Sequence, residues 1–234
     1  MTYILILLLI ALAGFYGYMR KSNLFDARQK NLFLIGFAFY ALFCGVVLFL
    51  AFPFVARLND AIDLLFWNVQ SDTADAFFKI IAFLFSTKVI GIFVLLAAAH
   101  AYFSARKTEA FSIAVSLVAA ASVGEILKSF FQIERPLGPL VDTSGFSFPS
   151  GHAILTAVLF FSLTNIIGRI PRRGTRIFLN SAIFVLCLAV LISRMYLHAH
   201  WFTDIAGGFF LGTSIALLFN CASQVFKLKS TRTW

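Results

Sequence analysis

The sequence predicts an all-α protein, a polytopic membrane bundle of six to seven transmembrane helices, and three observations carry that prediction. Of its 234 residues 61% are hydrophobic and only 12% charged, whereas soluble domains run to about 45–50% and about 25%. The apolar residues gather into runs close to the ~20 residues of helix that cross a hydrocarbon core. The charges sit in short clusters between those runs, so a net charge of +9 coexists with a mean hydropathy of +0.92. Thirty phenylalanines suit a lipid-facing surface, and the length suits one helical domain.

The first run, Thr2 to Met19, is followed by Arg20, Lys21, Arg28 and Lys30. A secretory signal carries its positive charge ahead of the apolar run, so this segment is expected to be a retained span despite cleavage-like Ala11 and Ala13. Leu32 to Val55 is a second span, interrupted near its end by Pro53. From Leu58 to Val69, Leu58, Ile62, Leu65 and Val69 share one helical face while Asp60 and Asp63 lie elsewhere, which predicts an interfacial helix near 58–70 with Trp67 near its end. Phe77 to Phe103 is long enough to span with tilt and contains Lys88, which either satisfies neighbouring polar groups or faces the site. Ala110 to Phe130 carries Glu125 and Lys128 three apart, close enough to pair. Ala153 to Ile170, Ile177 to Ile192 and Ile205 to Cys221 bring the expected count to seven.

Charge distribution orients the bundle. Loops on one side hold 13 of the 19 basic residues, from Arg20 and Lys21 to Lys227, Lys229 and Arg232. Positive loops stay cytoplasmic, so the carboxyl terminus is expected inside and the opposite loops outside. Basic residues in such clusters form no continuous basic face, which argues against a nucleic-acid partner. Cys44, Cys187 and Cys221 lie inside apolar runs and provide no disulfide framework.

Three polar stretches break the apolar pattern: Lys128 with Arg135-Pro136; Pro149-Ser150-Gly151-His152; and Ser193-Arg194 with His198, His200 and Asp204. Charge between apolar runs is costly, so each stretch is a functional-site candidate. Together they supply cations, a hydroxyl, backbone donors and histidines, a set suited to a phosphoryl group. His200 and Asp204 are four apart, so at a helix start the carboxylate can hold one ring nitrogen while the other attacks. A histidine at the head of an apolar helix, His152, can protonate a leaving oxygen, while the amides there and Ser150 and Gly151 address the anion. Lys128, Arg135 and Arg194 place positive charge where a transition state accumulates negative charge. His198, six before Asp204, falls off that face and is expected at the interface or in support behind the site. His198, His200 and Asp204 also form a conceivable metal set, but its remaining ligands are missing and the cations nearby oppose it.

In order and spacing these motifs resemble the type 2 phosphatidic acid phosphatase (PAP2) superfamily, which includes vanadium haloperoxidases and undecaprenyl pyrophosphate phosphatases. The resemblance covers roughly the last two-thirds of the chain, implying N-terminal transmembrane helices over 1–55 and a PAP2-like catalytic membrane domain over 56–234. It implies His200 as nucleophile forming a phosphohistidine, His152 as acid then base, and Asp204 as the group orienting His200. It further implies Lys128, Arg135, Ser150, Gly151 and Arg194 as phosphate-binding residues, with no cofactor and no metal. Many relatives follow Arg-Pro with a basic residue where this chain has Leu137. The implied partner is a lipid phosphate drawn from membrane lipids: phosphatidic acid, phosphatidylglycerol phosphate or, alternatively, undecaprenyl pyrophosphate. Bacterial members suggest an inner-membrane enzyme with its site facing the periplasm or exterior. A transporter or scaffold is the non-enzyme alternative, disfavoured because the motifs lie at helix ends and no internal repeat is visible. No oligomeric state is assigned.

Overall fold

A computed structural model describes residues 2–21 and 25–231 of the chain. Among these residues the protein is all helix: α1 (Thr2–Lys21), α2 (Ala27–Phe49), α3 (Pro53–Asn68), α4 (Asp72–Leu84), α5 (Thr87–Phe103), α6 (Lys107–Phe131), α7 (Gly151–Ile167), α8 (Arg173–Tyr196) and α9 (Phe202–Thr231). Four helices are long and apolar enough to cross a membrane: α2, α6, α8 and the Phe202–Gln224 part of α9. The pair α4 and α5 passes the same test as one broken span, while α7 is apolar but shorter. The protein is an integral membrane helix bundle.

Helix boundaries follow local chemistry. Asp26 accepts from the Gln29 amide at 2.7 Å and the Gln29 side chain accepts from the Asp26 amide at 2.9 Å, a reciprocal cap that starts α2. The expected Leu32–Val55 span ends earlier, at Phe49, because Pro53 has no amide to continue it and instead sits in the first turn of α3. The helix α3 thus begins five residues before the expected start of the interfacial helix at Leu58. Phe54, Leu64, Leu65 and Val69 leave an apolar exposed surface on and just beyond it.

The continuous Phe77–Phe103 span is corrected to two helices bent by 47°, with the break at Phe85 and Ser86. That bend brings Thr87, at the start of α5, to the lip of the polar cavity described below, while Lys88 is exposed and lies outside its lining. The start of α4 is tied to the end of α8, since the Tyr196 hydroxyl donates to Asp75 at 2.7 Å and accepts from the Ser71 amide at 3.3 Å.

At the centre, α9 packs against α2, α6 and α7. Its apolar window is 61% buried against 17% for α8, so α9 is the core element and α8 faces lipid. Close approach of α7 to α9 depends on two glycines four apart. A Cβ on Gly208 would lie 2.6 Å from the Ser150 carbonyl oxygen, and one on Gly212 would lie 2.3 Å from that of Ile154. Only glycine lets these backbones meet, the small-residue packing expected where lipid supplies no hydrophobic drive. Phe148, fully buried, stacks on Phe43 and meets Phe131 edge-on just before α7 begins.

Candidate active site

The three polar stretches, separated by up to 76 residues in sequence, converge on one cavity of about 440 Å³ lined by Lys128, Arg135, Gly151, His152, Arg194 and His200. Thr87, Glu125, Asp142 and Thr143 complete much of its rim.

His200 lies in the turn between α8 and α9, one residue short of the α9 cap, so its partnership with Asp204 is made by a loop rather than by a shared helical face as expected. The partnership itself stands: His200 Nδ1 is 3.3 Å from Asp204 Oδ2. Arg135 Nη1 lies 3.3 Å from His200 Nε2, and a guanidinium can only donate, so Nε2 accepts. Nδ1 therefore carries the proton and donates to Asp204, and Nε2, capped by Arg135, is the unprotonated nitrogen of a ring that lines the cavity. Asp204, fully buried, also accepts from the Trp201 amide at 2.9 Å, which holds the carboxylate in place.

Burial, then the charges of Arg135, Arg194 and Lys128, push the His200 pKa well below the ordinary histidine value. The ring is consequently neutral, as a nucleophile requires. His152 stands at the second position of α7 with its ring centroid 6.4 Å from that of His200, a gap that admits one phosphoryl group. The Gly151 and His152 amides precede the first hydrogen bonds of that helix and are free to donate.

Ser150 departs from expectation. It is fully buried, does not line the cavity, and its hydroxyl caps α7 by accepting from the Ala153 amide at 3.4 Å. Its own amide donates to the Asp204 carbonyl at 3.1 Å, which stitches α7 to α9. The serine sets the start of the helix whose first residues, Gly151 and His152, line the cavity, and burial keeps its hydroxyl out of that lining.

The cations divide their work. Lys128 pairs with Glu125 at 2.9 Å, as its spacing predicted, and its ammonium hangs over Gly151. Arg135 donates to the carbonyls of Gly145 at 3.0 Å, Ser144 at 2.9 Å, Phe146 at 3.3 Å and Ala199 at 2.6 Å. Its planar fork thereby fastens the 144–146 loop to the turn that carries His200, a scaffolding role beyond the expected grip on phosphoryl oxygens. Arg194 is buried, and its Nε has no hydrogen-bond partner. Its carbonyl accepts from the amides of Ala199 and His200. Leu137 is 87% exposed and outside the cavity, so its apolar character leaves the site's cation count unchanged.

His198 and His200 engage different carboxylates, Asp63 and Asp204, so the conceivable metal set of His198, His200 and Asp204 does not assemble. Trp201 escaped sequence reasoning, although its indole donates to the Glu134 carbonyl at 2.8 Å. So did Ser147, buried with its hydroxyl 3.0 Å from the carbonyl oxygens of both Ile133 and Glu134, either of which can accept its one proton, and nothing in its neighbours distinguished it. A larger cleft of about 700 Å³ lies at the other end of α6, α7 and α9, but the Arg106–Glu109–Arg169 ion pairs occupy it and no histidine lines it.

Residues 109–227 match the PAP2 superfamily. The chain belongs to the PAP2 superfamily. Phosphatidylglycerophosphatase B of Bacillus subtilis (strain 168) is 34% identical to it over 101 residues, 41% of this chain and 49% of that protein. The match thus spans about half the length of that curated relative. The crystal structure of a transmembrane PAP2-type phosphatidylglycerolphosphate phosphatase from Bacillus subtilis aligns with a TM-score of 0.72 at 23% identity, covering 85% of this chain and 98% of the other. Aquifex aeolicus LpxE aligns with a TM-score of 0.54 at 19% identity over 73% and 96%. These likenesses establish a transmembrane PAP2 fold over most of the chain.

Proposed function

We propose that the protein is a metal-independent phosphatase of membrane lipid phosphates, acting through a phosphohistidine at His200. The observation that carries this reading is one cavity in which His200, held by Asp204, faces His152 among three cations. In the first step His200 Nε2 attacks phosphorus, the bond from phosphorus to the lipid oxygen breaks, and His152 gives that oxygen its proton. In the second, water attacks phosphorus, His152 takes its proton, and the phosphorus–nitrogen bond breaks to release phosphate. Lys128, Arg135 and Arg194, with the Gly151 and His152 amides, stabilise the charge gathering on the phosphoryl oxygens. Each such donor is typically worth about two to three decades in rate.

The substrate we assign is a lipid phosphate monoester or pyrophosphate, with phosphatidic acid and phosphatidylglycerol phosphate as the glycerolipid cases. The partial likeness to a phosphatidylglycerophosphatase favours these. We assign the site to the exterior or periplasmic face of a bacterial inner membrane, a reading the clustering of basic residues in the opposite loops supports. The test is phosphate release by the purified chain in detergent, compared across these lipids and undecaprenyl pyrophosphate as kcat/KM. Activity should survive EDTA, fall with vanadate, and vanish in His200→Ala. Loss on chelation that a divalent ion restores would sink the mechanism, and no release from any lipid would revive the transporter alternative.

A further inference from the structure

The turn carrying His200 is gripped from outside the catalytic cavity by α3. Asn59 and Asp63 stand four apart on one face of that helix. Asp63 Oδ1 lies 2.7 Å from His198 Nδ1, and the Thr203 amide donates to Asn59 Oδ1 at 3.2 Å while Asn59 Nδ2 donates to the Thr203 hydroxyl at 2.9 Å. His198 and Thr203 bracket the nucleophile at two residues before and three after. On its other edge the His198 ring meets Gln70 Nε2 at 2.7 Å, and its face stacks on Trp67 with centroids 4.2 Å apart and planes inclined by 18°.

His198 is fully buried and has a φ of 51°, the left-handed region that favours glycine. A β-carbon there is strained, and three ring partners offset the strain. None of these partners touches the phosphate-facing cations. The set therefore serves something other than substrate charge.

The opposite surface of α3 explains what the grip is attached to. Phe54, Leu64 and Leu65 are 69%, 59% and 64% exposed, an apolar surface suited to the acyl boundary of a bilayer. Trp67, partly exposed, continues it and touches His198 from behind, and Gly138, with a φ of 63°, packs beneath its indole. The helix thus presents exposed apolar side chains, with Arg57 and Asp60 among them, on one side and locks its polar edge to the turn that carries His200.

We propose that His198 and Asp63, supported by Asn59, are positioning residues that set the reach of His200 into the cavity, making α3 the clamp through which the membrane-seated helix fixes the nucleophile. This rests on the assignment of His200 as nucleophile made above. Displacing a reacting group by about 1 Å can cost on the order of a hundredfold in rate, so the clamp acts on turnover rather than on substrate affinity.

The experiment uses the purified full-length chain with phosphatidic acid in mixed micelles, and reads kcat, KM and thermal unfolding for His198→Gly, His198→Asn, Asp63→Ala, Asp63→Asn and His198→Gly/Asp63→Ala. His198→Gly relieves the backbone strain while deleting the grip. It should melt no lower than the parent yet lose about tenfold or more in kcat, with KM changed by less than about twofold. Asp63→Ala should show the same split, and the double variant should be no slower than the slower single, because both remove one interaction. Asn keeps a hydrogen-bonding group at either position, so His198→Asn and Asp63→Asn should recover most of kcat. Turnover in His198→Gly within about twofold of the parent, or losses that multiply in the double variant, would overturn the clamp. If His198→Gly does not fold, the split between kcat and KM in Asp63→Ala against Asp63→Asn decides alone. His200→Ala run alongside separates the two claims: activity retained there overturns the nucleophile assignment itself, whereas activity lost there with His198→Gly unaffected overturns only the clamp.

Discussion

On the proposed mechanism His200 meets two demands that oppose each other: it must sit among cations placed to bind phosphate, and it must keep one ring nitrogen unprotonated. The cations help with both, because burial and three neighbouring positive charges hold the ring neutral while Asp204 fixes which nitrogen stays bare. In the free protein this histidine should therefore stay neutral as pH falls through 6.5, the ordinary histidine value. Ring-nitrogen NMR of 15N-histidine-labelled protein, assigned with His200→Asn, checks this, and protonation at or above the ordinary value would contradict it. The sign for stability follows. The unfolded chain takes up this proton at a higher pH than the native one, so this group's contribution is intact above the ordinary histidine range and is lost as pH falls through it. Arg135 makes a second residue-scale prediction. Lysine keeps the charge but lacks the fork that holds Gly145, Ser144, Phe146 and Ala199, so Arg135→Lys should lower kcat by about a hundredfold or more. A steady-state assay in which lysine restores turnover to within a few-fold would show that charge alone suffices.

Between elements, the decisive contact is α7 against α9. It holds the Ser150 amide on the Asp204 carbonyl and so fixes the distance between the helix that carries His152 and the turn that carries His200. Gly208→Ala would drive its Cβ into the Ser150 carbonyl and the Ala153 side chain. Overpacking of this kind costs about 1–3 kcal/mol, and the strain should appear as a lower melting temperature together with reduced turnover. Gly91→Ala in α5, where a Cβ meets nothing within 4 Å, is the matched control and should leave stability equal or raised, as alanine favours helix. Equal melting temperatures for the two variants would mean that α7 and α9 tolerate a wider gap than their contact indicates.

Across the molecule, two polar cavities lie at opposite ends of the bundle, the motif cavity at one and the Arg106–Glu109–Arg169 cleft at the other. Basic loops select the cytoplasmic side, so the cavity is expected to open outward. Single cysteines report this directly, because Cys44, Cys187 and Cys221 are buried and give little background. In intact cells a membrane-impermeant maleimide should label Leu137→Cys, at a highly exposed site beside the cavity, and not Arg172→Cys. The reverse pattern would invert the topology and the lipid leaflet that supplies substrate.

Composition and run length alone determined that this chain is a helical membrane bundle, because hydrocarbon tolerates no unpaired backbone and admits few charges. The same cost of charge made Lys128, Arg135, His152, Arg194, His200 and Asp204 legible, since ionisable groups between apolar runs stand out whatever their packing. The Glu125–Lys128 pair was legible too, being local to one helix. What only the tertiary structure decided depends on contacts between distant segments: the break at Ser86 inside an apparently continuous apolar run, the burial of the Ser150 hydroxyl, and the spending of Arg135 on loop carbonyls. His198 shows the limit most clearly. Its role depends on Asp63, 135 residues earlier, and local spacing carries no record of a partner that only folding brings within 2.7 Å.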